Sequence, residues 1–85
     1  MKFTVLWSKD AQAELARLWN DSSDRASVTA AADLIDRWLA QEPLLCGESR
    51  QENFRIMFVH PLATEFQVRE ADRQVIVVGV WRAKA

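Results

Sequence analysis

The sequence predicts an α+β two-layer domain: an N-terminal strand, an antiparallel helical hairpin and then a three-stranded antiparallel meander. Three observations carry this prediction. The opening "KFTVLW" alternates between two faces at the period of a strand. Between Ser8 and Pro43, apolar residues recur at three- and four-residue intervals in two successive segments. Beyond Asn53, three apolar runs are separated by short turns. A strand, two helices and three strands in that order place the helices on one face of a small sheet.

In the first strand Phe3, Val5 and Trp7 face one way and Thr4 and Leu6 the other. Ser8 is a good helix N-cap, and Asp10 places an acid in the first turn. Ala11, Leu15, Leu18 and Trp19 then keep helical spacing, which predicts helix 1 from Lys9 to Asn20. Val28, Ala31, Ile35, Trp38 and Leu39 predict a second helix, with Asp33, Asp36 and Arg37 on its wet side. Pro43 stops it, because the residue before a proline is pushed out of the helical region. The short connection between these helices predicts an antiparallel hairpin.

"CGESRQEN" reads as a polar loop. The strands that follow are "FRIMFV", "LATEFQVR" and "RQVIVVGVW", with His60-Pro61 turning between the first two and Glu70-Ala71-Asp72 leading into the last. In the middle strand Leu62, Thr64, Phe66 and Val68 alternate with Ala63, Glu65, Gln67 and Arg69, the pattern of a sheet with one covered face and one open face. The last strand is apolar on both faces, which places it centrally. Trp7, Trp19, Trp38 and Trp81 fall on or beside the apolar stripes and are expected in the core or at its rim.

The composition bounds what the chain does. Its 85 residues suffice for a single domain, taken as residues 1–85. Hydrophobic residues at 49% and charged residues at 27% exclude disorder as the default. No apolar run approaches the roughly 18 to 20 residues of a membrane span, and the opening is too soon interrupted for a signal peptide. With the single cysteine Cys46, this makes a cytoplasmic location the expectation and a membrane partner unexpected. One Cys and one His, Cys46 and His60, are too few for a zinc site and lack a third group to orient a nucleophile. No Gly-rich phosphate loop is present, so neither metal nor cofactor is expected. A formal net charge of -1 counts against general nucleic-acid binding but allows a local basic patch.

The opening "VLWSKDAQAELARLW", the second helix ending in "LAQEPLLCGE", the "FRIMF" strand and the hairpin "EFQVREADRQVIVVGVWR" together span nearly the whole chain. In this order and spacing they resemble the RelE/ParE superfamily, the toxins of bacterial type II toxin-antitoxin systems. The resemblance implies a cognate antitoxin as partner, whose C-terminal segment wraps around the toxin. It also implies a choice of target. ParE-like members inhibit DNA gyrase, whereas RelE-like members are endonucleases that cut mRNA on the ribosome.

Cutting RNA without a metal requires a base for the 2′-hydroxyl, cations for the charged phosphorane and an acid for the leaving oxygen. Matched to RelE-like members by strand position, Arg55 stands at a basic position of the second strand and Arg82 at the C-terminal arginine. Met57 and Ala63 occupy two further basic positions, and the chain has no tyrosine to supply the family's aromatic hydroxyl. His60 is the remaining acid-base candidate beside Arg55 and Arg82. The resemblance therefore implies the ParE-like activity, growth inhibition through DNA gyrase. Its alternatives are a metal-independent endoribonuclease built on Arg55 and Arg82, and a non-toxic interaction domain of the same fold. By strand parity Arg55, Glu65, Gln67 and Arg69 are expected to share the open face of the sheet. Two readings stand for them: contacts to target or antitoxin, or the polar residues of a solvated face with cross-strand Arg-Glu pairs.

Overall fold

The computed structural model describes residues 2–83. Its elements are β1 (Thr4–Trp7), α1 (Lys9–Asp21), α2 (Arg25–Gln41), β2 (Glu48–Ser49), β3 (Phe54–Val59), β4 (Leu62–Arg69) and β5 (Gln74–Arg82), with 3-10 turns at Pro43–Leu45 and Glu70–Asp72. The predicted order of strand, helical hairpin and meander is present. Helix α1 starts where Ser8 caps it, the Ser8 hydroxyl accepting from the Ala11 amide at 3.1 Å. It runs one residue beyond the predicted Asn20. Asp24 caps α2 by accepting from the Ser27 amide at 3.3 Å. Pro43 ends the helical run and opens a 3-10 turn instead.

The strands form one sheet in the order β1-β5-β4-β3-β2. β5 is central, as its two apolar faces predict. It pairs antiparallel with β4 on one side and parallel with β1 on the other, so the sheet is mixed. Strand β2 corrects the reading of "CGESRQEN" as a plain loop: Glu48 and Ser49 pair with Ile56 and Arg55. Two exposed polar residues carry no alternation, so only the pairing reveals them.

One face of the sheet lies under the helices. Val28, Ala31, Ile35 and Leu39 of α2, with Ala11 and Leu18 of α1, are buried against Phe66, Val68, Val75 and Val77. Burial of these side chains is the main stabilising contribution, at roughly 1.5–3 kcal/mol for each fully buried large one.

The pairing of β4 with β5 slips between Glu65 and Phe66. Glu65 stands opposite Gly79 and Phe66 opposite Val77, leaving Val78 as the extra residue of a bulge. The slip reverses the parity of the rest of β5. Val80 turns inward with only 3% exposure, and Trp81 turns outward with 38%. Thr64, the only polar side chain of the buried set among the described residues, donates its hydroxyl to the Gly79 carbonyl at 2.9 Å and so anchors the bulge.

Of the tryptophans expected in the core or at its rim, Trp7 packs half-buried at the rim and the other three lie further out. None is buried, and Trp19, Trp38 and Trp81 rank among the exposed large hydrophobic residues. Trp7 and Trp19 satisfy their indole N–H groups at the surface, Trp7 on Asp36 at 2.7 Å and Trp19 on Thr29 at 3.1 Å. An amphipathic ring with a polar partner available there has little drive to sink deeper.

The turn into β2 depends on Gly47, which has φ +64 and whose added Cβ would lie 2.1 Å from the Ile56 carbonyl oxygen. Gly47→Ala is expected to cost about 2 kcal/mol or more, from left-handed backbone strain and a collision with backbone. Gly79→Ala, where the nearest atom to an added Cβ is 3.9 Å away, is expected to change stability by less than about 1 kcal/mol. Urea unfolding of the two variants beside wild type measures both.

Candidate functional site

The open face of the sheet follows directly from the strand register. Cross-strand partners point the same way, so each row can be read across the strands. One row is Phe58, Ala63 and Trp81; the next is Ile56, Glu65 and Gly79; the third is Phe54, Gln67 and Ile76, with Leu6 beyond; and the last is Arg69 and Gln74, with Thr4 beyond. This face is largely apolar. Phe58 is 65% exposed and Leu6 43%. Glu65 lies half-buried near its centre. Arg69 is the only cation that this register places there among the strand residues, and its Nε donates to Gln67 Oε1 at 3.3 Å. Of the residues expected on this face, Glu65, Gln67 and Arg69 are brought together.

Arg55 is not among them. It pairs with Phe66, which is fully buried, so it belongs to the helix-covered side of the sheet. The turn explains the discrepancy. Val59 pairs with Leu62 across the two residues His60 and Pro61, and that short loop sets Arg55 opposite Phe66. Counting parity within each strand alone could not see this, but the length of the turn could have revealed it. The Arg55 guanidinium is spent on backbone: Nε donates to the Cys46 carbonyl at 2.9 Å and Nη2 to the Gly47 carbonyl at 3.3 Å. It thereby ties the segment before β2 to β3. Cys46 beside it donates its thiol to the Glu42 carbonyl at 3.2 Å, and burial pushes the thiol pKa up, away from nucleophilic use.

Arg82 and His60 lie at one end of the sheet, where β5 finishes beside the β3–β4 turn. The Ala83 amide donates to the Pro61 carbonyl at 2.9 Å, and Arg82 pairs with Leu62. The bulge sends Arg82 toward the helices, where Nη2 donates to the Ser22 hydroxyl at 3.0 Å in the link between α1 and α2. Asp24 is close enough to feel its charge. The Asp24 carboxyl is held below the usual carboxylate range, first by the hydrogen bond from the Ser27 hydroxyl, then by the Ser27 amide, with Arg82 adding a smaller effect. From Arg55 to His60 the strand runs about 16 Å, so the three residues proposed for catalysis do not converge.

A groove of about 780 Å³ opens between α1, α2 and β1. Val5, Trp7, Leu15, Trp19, Val28 and Ala32 supply its apolar lining, and Asp33 and Asp36 stand at its polar side. Its walls are held by named bonds. Gln12 Nε2 donates to the Trp7 carbonyl at 2.8 Å, and the Arg25 guanidinium lies 4.6 Å from the centre of the Trp19 ring. From sequence, the apolar grooves of the helical hairpin are expected to contact an antitoxin, with no residue singled out, and Asp33 and Asp36 are expected on the wet side of the second helix. Trp7 and Trp19, on the apolar stripes but with polar partners at the surface, are the signal that could have placed this groove. No helix among the described residues is long and apolar enough to cross a membrane. No group of three metal-ligating side chains is gathered among them.

No protein-family model matches the chain, and no curated protein does. Solved structures do. The chain superposes on a chain of the toxin-antitoxin complex RelBE2 from Mycobacterium tuberculosis with a TM-score of 0.80 at 15% identity, covering 98% of this chain and 93% of that one. The chromosomal ParDE toxin-antitoxin system of P. aeruginosa gives 0.70 at 16% identity, with 98% of each chain covered. TrmO from Pseudomonas aeruginosa gives 0.64 at 19% identity, covering 94% of this chain but 35% of that one. At these identities the likeness is one of fold. The chain has the RelE/ParE toxin fold, and the strand-hairpin-meander order of the sequence resemblance is the order of that fold.

Arg55→Ala is expected to lower stability by about 1–2 kcal/mol, because the part-buried Cys46 carbonyl and the exposed Gly47 carbonyl lose a charged donor. Arg55→Lys should recover only part, since a single ammonium cannot reproduce the fork. Thermal unfolding of the three proteins tests this. Acid titration tests the cap of α2. A carboxyl with a folded value below its unfolded one stabilises above the unfolded value and loses that contribution as pH falls through the folded one. The difference in melting temperature between wild type and Asp24→Ala is therefore expected to be full at neutral pH and to shrink as pH falls through the lowered value of the Asp24 carboxyl.

Proposed function

We propose that this chain is the toxin, or a toxin-like component, of a type II toxin-antitoxin pair, ParE-like in action, inhibiting growth through DNA gyrase. The observation that carries the reading is the open face. The fold is common to RelE and ParE toxin structures, so the choice between activities rests on what the face presents. Metal-free RNA cleavage calls for cations around the phosphorane. Here Glu65 occupies the centre, Arg69 lies in the outermost row, and Arg55 is turned to the other side of the sheet. Such a face offers a phosphate backbone no cluster of cations to hold it. Gyrase inhibition makes no such demand of it.

The partner in this reading is a cognate antitoxin. The groove between the helical hairpin and β1 suits an amphipathic helix laid with its apolar side against Trp7, Leu15 and Trp19. Tightly controlled induction in a bacterial host is expected to arrest growth, and co-expression of the antitoxin to restore it. Purified protein is expected to inhibit supercoiling by gyrase and to leave mRNA ends unchanged. New mRNA ends mapping to translating ribosomes would transfer the chain to the endonuclease reading. Normal growth with folded protein, in a host carrying the target, would leave an interaction domain without toxicity.

A further inference from the structure

The Glu65 carboxylate has no hydrogen-bond or ion-pair partner among the described side chains, although it lies half-buried in a mainly apolar surface. Its immediate neighbours across the sheet are Ile56 and Gly79. Gly79 adds no side chain, and the Trp81 ring leans over it, with Cζ3 3.9 Å from where a Cβ would stand. An indole thus covers the β5 position that pairs with Glu65, one strand spacing of about 4.8 Å from the Glu65 backbone. Phe58 in the row beyond and Phe54 in the row before complete an aromatic surround.

We infer that this face binds a protein segment through an arginine, whose guanidinium pairs with Glu65 and stacks on Trp81. The choice of arginine follows from the shape of the notch. A planar guanidinium can donate two parallel bonds to one carboxylate and also lie flat on an indole, which a compact, strongly hydrated ammonium cannot do as well. The choice of a protein segment follows from the rows on either side. They lie about 7 Å from Glu65 along the strands and present Phe58, Phe54 and Ile76, which a free guanidinium would leave wet. A segment with apolar residues flanking its arginine covers them. Its charge preference is opposite to that of a face built to hold phosphate. The identity of the partner as the antitoxin rests on the function proposed above; the arginine site itself does not.

The test is selection from a phage-displayed library of random peptides of about twelve residues against folded wild type, Glu65→Gln and Glu65→Lys, with thermal melting confirming that all three are folded. Wild type is expected to enrich sequences in which an arginine lies between apolar residues. A selected peptide should bind Glu65→Gln about ten-fold more weakly, the loss of one charge-assisted contact. Glu65→Lys should exchange the arginine preference for an acidic one. Titrating the peptide into wild type should shift the indole N–H resonance assigned to Trp81. Enrichment without arginine, equal binding to Glu65→Gln, or no enrichment above an unrelated protein each overturns the proposal. The selection uses no antitoxin and reads no growth effect. A toxic chain that selects no arginine removes this inference alone, and a harmless chain that selects it removes the toxin reading alone.

Discussion

The extra residue at Val78 governs what the molecule shows to solvent. Strand β5 is paired on both sides, so its parity is imposed on its neighbours. Up to Val77 it alternates with β4 in simple register, and beyond Gly79 the alternation is reversed. Without that reversal Trp81 would be driven under the helices and Val80 left in water. The Thr64 hydroxyl stabilises the irregularity by donating to the Gly79 carbonyl inside a layer that holds no other buried polar side chain among the described residues. The aromatic row on the open face and the inward turn of Arg82 both follow from this one interaction.

Much of the architecture was legible because local and global signals agree. Ser8 and Pro43 mark helix limits by capping and sterics, and the alternation of β4 is unambiguous. What escaped the sequence had weak or cancelling local signals. "QVIVVGVWR" is apolar on both faces, so a slip of one residue leaves no trace in its hydrophobic pattern. Glu48 and Ser49 form a strand only because β3 offers an edge. Arg55 was assigned to the wrong face because its parity is set by the turn at His60 and Pro61, through a partner eleven residues away. The open face was legible in part: Glu65, Gln67 and Arg69 share it as their parity predicts, whereas Trp81 was expected in the core or at its rim and Phe58 was given no role.

The two surfaces that stand out divide by chemistry. The groove beside β1 is concave, with indole N–H groups already satisfied within its walls. Its apolar lining asks only for shape and hydrophobic area from an occupant. The open face is broad and carries a carboxylate with no partner among the described side chains, set in a mainly apolar surface. One surface therefore supplies affinity by burial, and the other discriminates by sign of charge. A fold shared with distant structures predicts neither property, because both come from side chains that differ at most positions.

The pairing of β1 with β5 has a consequence for how the chain comes into being. Thr4 finds its sheet partner in Gln74, seventy residues further along the chain. During synthesis the helical hairpin can form early from local contacts, and the meander can zip through its short turns. The first strand must wait for nearly the whole chain. A topology that closes on its most distant contact folds more slowly than one built from neighbours, and it gains its full set of surfaces in a late, cooperative step. The groove, which needs β1, is completed only by that closure, whereas the Glu65 and Trp81 rows of the open face form once β5 pairs with β4. Partly made chains would lack both.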